Sequence, residues 1–388
     1  MSEPTRKENL MAVEDFIAYY NSLIVSTLTD GILLQDDLGV AYGVPQVHGK
    51  PRISSMPYLY DIGEGNVDGH TPWSNIGHNP AMVATVRADI WGAGGIYAFP
   101  TAEIKIEVLS SSAGNEDVGT IIKTGTSDGG STTTLTDTGA DFTAATAVQV
   151  GDCVILDKSM NGGRTPEWGY VTTVAAQTLT LSNGFSEGGT GDARTYSVID
   201  KNTAGKTGAH AVHIDYLDGD YAEKEEIIIL NGNTAVDSVN TDIFRVNAFH
   251  VIATGSGNAP VGNLTLRADG AGATYSYIRA TYNRDRSSAY TVPAGKTLYI
   301  AAMTLGYGYD SNQTQHGRMW VVANSDPDTG FVMGNLFQPF AEVIVANNSQ
   351  HVDFPLPLKF LEKTDFKVTG VGTFAGTMTS VMRGWLET

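Results

Sequence analysis

Basic residues are scarce in this chain: 24 lysines and arginines stand against 42 aspartates and glutamates, for a formal net charge of −18. A nucleic-acid-binding surface needs cations that displace counterions from phosphates, so a DNA-facing role is disfavoured. The same acidic excess suits a protein that must stay soluble before it assembles. Cysteine is nearly missing. The single Cys153 excludes an intrachain disulfide and any thiolate metal cluster. It lies in the apolar strand pattern of 150–156 and reads as a buried, inert thiol. Long apolar runs are missing as well. No stretch approaches the ~18 residues of a membrane span, and the polar start at 1–9 has no apolar segment behind it, so neither membrane insertion nor secretion is expected.

Glycine is abundant, at 44 of 388 residues, among many Thr, Val and Tyr, while 41% of the chain is hydrophobic. That composition predicts a turn-rich β protein with real cores, divided over two or three domains. One helix is expected. Leu10, Val13, Phe16, Ile17, Tyr20, Leu23 and Ile24 recur at helical spacing, and Thr29-Asp30-Gly31 supplies a stop. Its stripe packs either on its own sheet or on a neighbouring subunit. Leu10, Val13, Phe16, Ile17, Tyr20 and Ile24, together with Trp73, are therefore the candidate assembly contacts. Residues 32–100, rich in Gly, Pro, Asn and His, read as an extended arm with few regular strands.

Linker-like segments at 110–117 and 202–208 bracket a Thr- and Gly-rich stretch of short strands at 132–136, 148–156, 170–174, 178–182 and 195–199. The expected organisation is a parent β domain from 1–118 plus 204–250, carrying the arm and the helix. A small β-barrel at 119–203 is inserted into it and protrudes. A jelly-roll-like β-sandwich follows at 251–388, with Pro355 and Pro357 at a sheet edge or corner.

Several motifs resemble catalytic signatures without their context. Ala204-Gly205-Lys206-Thr207 and Ala294-Gly295-Lys296-Thr297 lack the earlier glycine and following helix of a phosphate loop. Gly125-Thr126-Ser127-Asp128-Gly129 matches a nucleophile elbow in letters only, because a strand follows it. His210 and His213, three apart on a strand, point to opposite faces, and His70 and His78 flank Trp73 in the arm. Asp215, Asp218 and Asp220, like Asp326 and Asp328, lack EF-hand spacing and sit where turns are expected. No catalytic, cofactor-binding or metal-ligating set is assigned, and the chain is not read as an enzyme.

Asp61-Ile62-Gly63-Glu64-Gly65-Asn66, Thr71-Pro72-Trp73-Ser74, Ile214-Asp215-Tyr216-Leu217-Asp218, Thr241-Asp242-Ile243-Phe244-Arg245-Val246-Asn247 and Arg383-Gly384-Trp385-Leu386-Glu387 carry a resemblance. Through them, residues 60–118 and 208–388 resemble structural proteins of tailed bacteriophages. The central segment, through Thr132-Thr133-Thr134-Leu135-Thr136-Asp137 and Val150-Gly151-Asp152, resembles a small β module inserted in phage proteins. The resemblance implies a virion component assembled in the host cytoplasm, with other virion proteins and copies of itself as partners. Within that class a capsid-associated decoration or head-fibre protein is expected. Two alternatives stay open: a tail fibre that recognises a host surface glycan, and a glycan depolymerase.

Overall fold

Alternating apolar residues make this chain a β protein, and a computed structural model shows antiparallel sheets throughout. It describes residues 32–35, 41–44, 46–47, 50–51 and 58–388 apart from 132, 145–147, 161–163, 184, 186–192, 309–315, 327–328 and 347–348. The expected helix at 10–24, with Leu10, Val13, Phe16, Ile17, Tyr20 and Ile24, lies outside the described residues. Two units divide the chain, Met1–Pro72 with Trp385–Thr388, and Trp73–Gly384. In the first, β1 (Ile32–Gln35) pairs with β2 (Ala41–Val44), and β3 (Gln46–Val47) with β4 (Lys50–Pro51). The six-residue α1 (Tyr58–Gly63) is its helix among the described residues.

The second unit is organised around β15 (Ala209–Leu217), which lies between β16 (Glu223–Ile229) and β18 (Arg245–Thr254). The hairpin expected from Val212, Ile214 and Tyr216 is present, in register from Ala211 opposite Ile229 to Leu217 opposite Glu223. One face of β15 places Val212, Ile214 and Tyr216 in a core shared with Ile106, Val108, Leu264, Leu266 and Ile278. Those partners come from a second sheet, ordered β17 (Val236–Asp237), β7 (Ile106–Ser110), β19 (Leu264–Ala268) and β20 (Thr274–Ile278). The expected boundary between 250 and 251 therefore falls inside β18, and one core draws on residues from both sides of it. Burying each such side chain contributes ~1.5–3 kcal/mol, so the two segments fold as one.

The stretch bracketed by the linkers forms a sheet of its own: β8 (Ile121–Thr126), β14 (Thr195–Ile199), β11 (Cys153–Leu156), β12 (Glu167–Val174), β13 (Thr178–Leu181), β10 (Thr134–Thr136) and β9 (Gly129–Ser131), in that order. Its inner face packs Leu135, Phe142, Val154, Leu156, Leu179 and Val198. The expected barrel is corrected here. The sheet is open, although its outer strands β8 and β9 are separated in the chain only by Ser127 and Asp128. Nor does it simply protrude. The opposite face of β11, with Cys153 and Ile155, packs on Ala211, Ile227 and Ile252 of the β15 sheet. The Tyr170 hydroxyl also donates to the Ile252 carbonyl at 2.6 Å.

Two further sheets are built mostly from residues of this unit. In one, β21 (Tyr290–Thr291), β26 (Asp365–Gly372), β23 (His316–Ala323) and β24 (Gln338–Ala346) lie side by side, with β6 (Ala88–Asp89) also on β26. The other is ordered β25 (Ser349–Phe360), β22 (Thr297–Gly308), β27 (Gly376–Glu387) and β5 (His70–Met82). Their burial alternates along β22 and β27 as two stacked layers require. Close approach within the second sheet requires glycine at 384, where an added Cβ would collide with the Tyr299 carbonyl. The arm expectation is corrected by β5, a strand of 13 residues. As an outermost strand it tolerates Pro72 and Pro80, which cost no ladder bond on an unpaired side. Pro355 and Pro357 lie on β25, also outermost, as expected.

Candidate metal centre

The face of β15 that carries Ala211 also carries His213 and Asp215, because alternate residues of a strand share a side. Register places His213 opposite His250 of β18 and opposite Ile227 of β16, and Asp215 opposite Ala248 and Glu225. Two imidazoles thus meet across the strand pair, with ring centroids 4.9 Å apart. Trp168, from β12, covers them at 4.8 Å from His213 and 6.0 Å from His250.

His213 is 3% exposed. Its Nε2 lies 3.0 Å from Glu225 Oε2, which holds the ring with that nitrogen as donor. Its Nδ1, also buried, lies 3.3 Å from Asp215 Oδ1 and makes no hydrogen bond. One ligand atom from each of His213, Asp215 and His250 fits within a span of 4.8 Å.

Two clefts open beside this group and share Asp215, Ala248 and Arg284. The larger, about 540 Å³, is lined by His250, Tyr282, Asn283, Arg284 and Arg286. The smaller, about 330 Å³, is lined by Trp73, Asn75, Glu225, Arg284 and Tyr290. The electrostatics follow from burial. Desolvation, reinforced by the neighbouring His213 ring and the Arg284 cation, pushes the His250 pKa down to about 4. Desolvation raises that of Asp215. It also raises that of the partly buried Asp285 to about 6, against a 2.7 Å hydrogen bond from Ser276 Oγ.

Sequence pattern alone does not reveal this group. It correctly separates His210, whose Nε2 lies 3.0 Å from the Lys206 carbonyl, from His213. It also assigns Asp215 to turn chemistry along with Asp218 and Asp220. Asp218 does build the turn, accepting the amides of Asp220 and Ala222 at 3.0 Å. Asp215 lies inside the strand instead. The available signal is His213-x-Asp215 on one strand face, but its partner His250 depends on a long-range register. Trp73 lies half-buried, edge-on to Tyr290 at 5.2 Å and Phe366 at 5.8 Å, and lines the smaller cleft. A second carboxylate group, Glu107, Asp237 and Asp269, is already compensated, with Arg267 on Glu107 and Lys105 on Asp237. Cys153 is buried and its thiol is pushed up to about 12 by desolvation.

No protein-family model matches the chain, and no curated protein matches it.

Proposed function

We propose that this protein is a structural component of a tailed-phage virion, a capsid-associated decoration or head-fibre subunit that acts through contacts with copies of itself and with other virion proteins. One observation carries the reading. The outermost strands β24 and β25, consecutive in the chain and on different sheets, expose large apolar side chains. In β25 the register passes from Ile300 opposite Leu358 to Ala302 opposite Asp353, so residues 354–357 bulge from the ladder. Leu356, between the two prolines of that bulge, is 85% exposed, and Ile344 of β24 is 58% exposed. Phe331 and Leu336 add exposed apolar surface just before β24. A protein that works alone shields such edges with charge, whereas a subunit buries them against a neighbour. The prolines limit uncontrolled strand pairing, and the net charge of −18 keeps free subunits apart until contacts accumulate.

The occupant of this edge is a second copy of the chain in a symmetric assembly. The test compares wild type with a double substitution, Ile344→Lys and Leu356→Lys, by light scattering and circular dichroism. Wild type is expected as an oligomer and the variant as a folded monomer. An unchanged oligomer in the variant overturns the role of this edge. Antibody labelling of virions is expected on the head. Labelling at the tail tip favours the glycan-recognising alternative, and absence from particles overturns the virion reading.

A further inference from the structure

We propose that His213, Asp215 and His250 bind one divalent transition-metal ion of the zinc type, with Glu225 orienting His213 from behind and a fourth position open to the larger cleft. Four observations converge. First, the donor set is two imidazoles and one carboxylate, a combination suited to Zn²⁺ and its neighbours and poorly matched to the all-oxygen shell of Ca²⁺ or Mg²⁺. Second, the spacing fits. Two ligands each ~2.0–2.1 Å from one tetrahedral ion stand about 3.4 Å apart, and His213 Nδ1 lies 3.3 Å from Asp215 Oδ1. His250 sits directly across the strand pair, with all three ligand atoms inside 4.8 Å.

Third, the buried Nδ1 of His213 has no hydrogen bond. A buried polar atom without a hydrogen bond is costly, and a metal ion at that point would satisfy it. Fourth, Glu225 accepts from the other nitrogen of the same ring at 3.0 Å, the carboxylate–histidine arrangement that fixes tautomer and ring orientation in metal sites. Three protein ligands leave one position vacant. It faces the cleft bearing Arg284 and Arg286, whose cations favour water, hydroxide or a carboxylate there over a further cationic ligand. The ion would tie β15 to β18 under the indole of Trp168 and add its binding free energy to folding.

The experiment uses the full chain, stripped with a chelator and titrated with ZnCl₂ by calorimetry, with thermal melts of apo and loaded protein. One ion per chain and a higher Tm on loading are expected. Co²⁺ in place of Zn²⁺ is expected to give a visible absorption band of four-coordinate nitrogen–oxygen ligation. His250→Gln and Asp215→Asn are each expected to abolish saturable binding while the apo protein keeps its circular dichroism. Glu225→Gln is expected to weaken binding about 10–100-fold. His351→Asn, at an exposed histidine beside Asp353, is expected to leave binding unchanged. No saturable binding to wild type, or binding retained in the double variant of His250→Gln and Asp215→Asn, overturns the proposal. If His250→Gln does not fold, the Co²⁺ spectrum of Asp215→Asn decides: an unchanged band overturns it.

Discussion

Arg245 and Asp365, 120 residues apart in sequence, form a buried bidentate ion pair, with Nε to Oδ1 at 2.8 Å and Nη2 to Oδ2 at 2.9 Å. The pair fastens β18 to β26. Around it, Asp365 accepts from Thr291 Oγ1 at 2.6 Å, and the guanidinium lies 3.9 Å from the Phe244 ring centroid. Removing one partner leaves an uncompensated charge in the interior. Asp365→Ala is therefore expected to cost about 3–5 kcal/mol. The double change Arg245→Met with Asp365→Leu is expected to cost less than that single substitution, because no charge is stranded. Urea denaturation of the three proteins checks the order, and a double variant less stable than the single would contradict it.

Local pattern makes most strands legible in the amino-acid sequence. Val212, Ile214 and Tyr216 announce β15 because they alternate along one face that is packed into the core. The C-terminal strands are readable in the same way, Thr297–Gly308 and Gly376–Glu387 above all, since their two-layer packing forces alternation. β5 is not readable. His70–Met82 holds Pro72, Pro80, Asn75, Asn79 and Gly77, so its strand state comes from its place in a sheet rather than from propensity. The candidate metal centre is hidden for a related reason. His213 and His250 meet only through the β15–β18 register, which carries three irregularities between Ala209 and Tyr216. The open form of the seven-stranded sheet and its docking through Cys153 and Ile155 likewise depend on which face of β11 meets which sheet.

That docking has a consequence for deletion. Joining Gly119 directly to Gly208 would uncover Ala211, Ile227 and Ile252, which now pack against Cys153, Ile155 and Ile199. Contrary to a freely removable insertion, the shortened protein is expected to bind a hydrophobic dye and to lose solubility. Adding Ile227→Thr and Ile252→Thr to the deletion is expected to recover part of that solubility. Dye fluorescence and the soluble fraction on expression measure both effects; a shortened protein as soluble as wild type would show that the interface contributes little.

Asp117 anchors the point where the chain leaves for that sheet. Fully buried, it accepts from Ala209 N at 2.7 Å and Val261 N at 3.0 Å through Oδ1. Through Oδ2 it accepts from Ser110 Oγ at 2.6 Å and Gly262 N at 2.8 Å. One carboxylate thus serves four donors from segments distant in sequence. Asp117→Asn keeps one acceptor oxygen and turns an amide N–H₂ toward donors. Each donor left unpaired costs about 1–3 kcal/mol, so the variant is expected to lose stability and hydrogen-exchange protection at Ala209 and Gly262 first. Unchanged exchange at both amides would show that the loops hold themselves.

Asp285 sets a pH dependence whose sign follows from burial. Its carboxyl is raised from an ordinary 3.8 to about 6. The cause is desolvation, which the Ser276 hydroxyl and the Arg284 cation oppose and the Asp215 charge reinforces. The folded state therefore holds this proton more tightly than the unfolded chain does. Its stabilising contribution is complete below pH ~3.8, falls as pH rises, and is lost above about 6. The ionised form then carries a penalty on the order of 2–3 kcal/mol. Asp285→Asn is neutral at every pH and keeps an oxygen to accept the Ser276 hydroxyl, so it is expected to be more stable than wild type at pH 7 and to match it near pH 4. His250 also loses its proton in this window, but it is common to both proteins and cancels in the difference. Thermal melts of the pair from pH 4 to 7 read that difference directly. A gap that stays flat across the range, or one that closes as pH rises, would mean that Asp285 is ionised at no special cost in the fold.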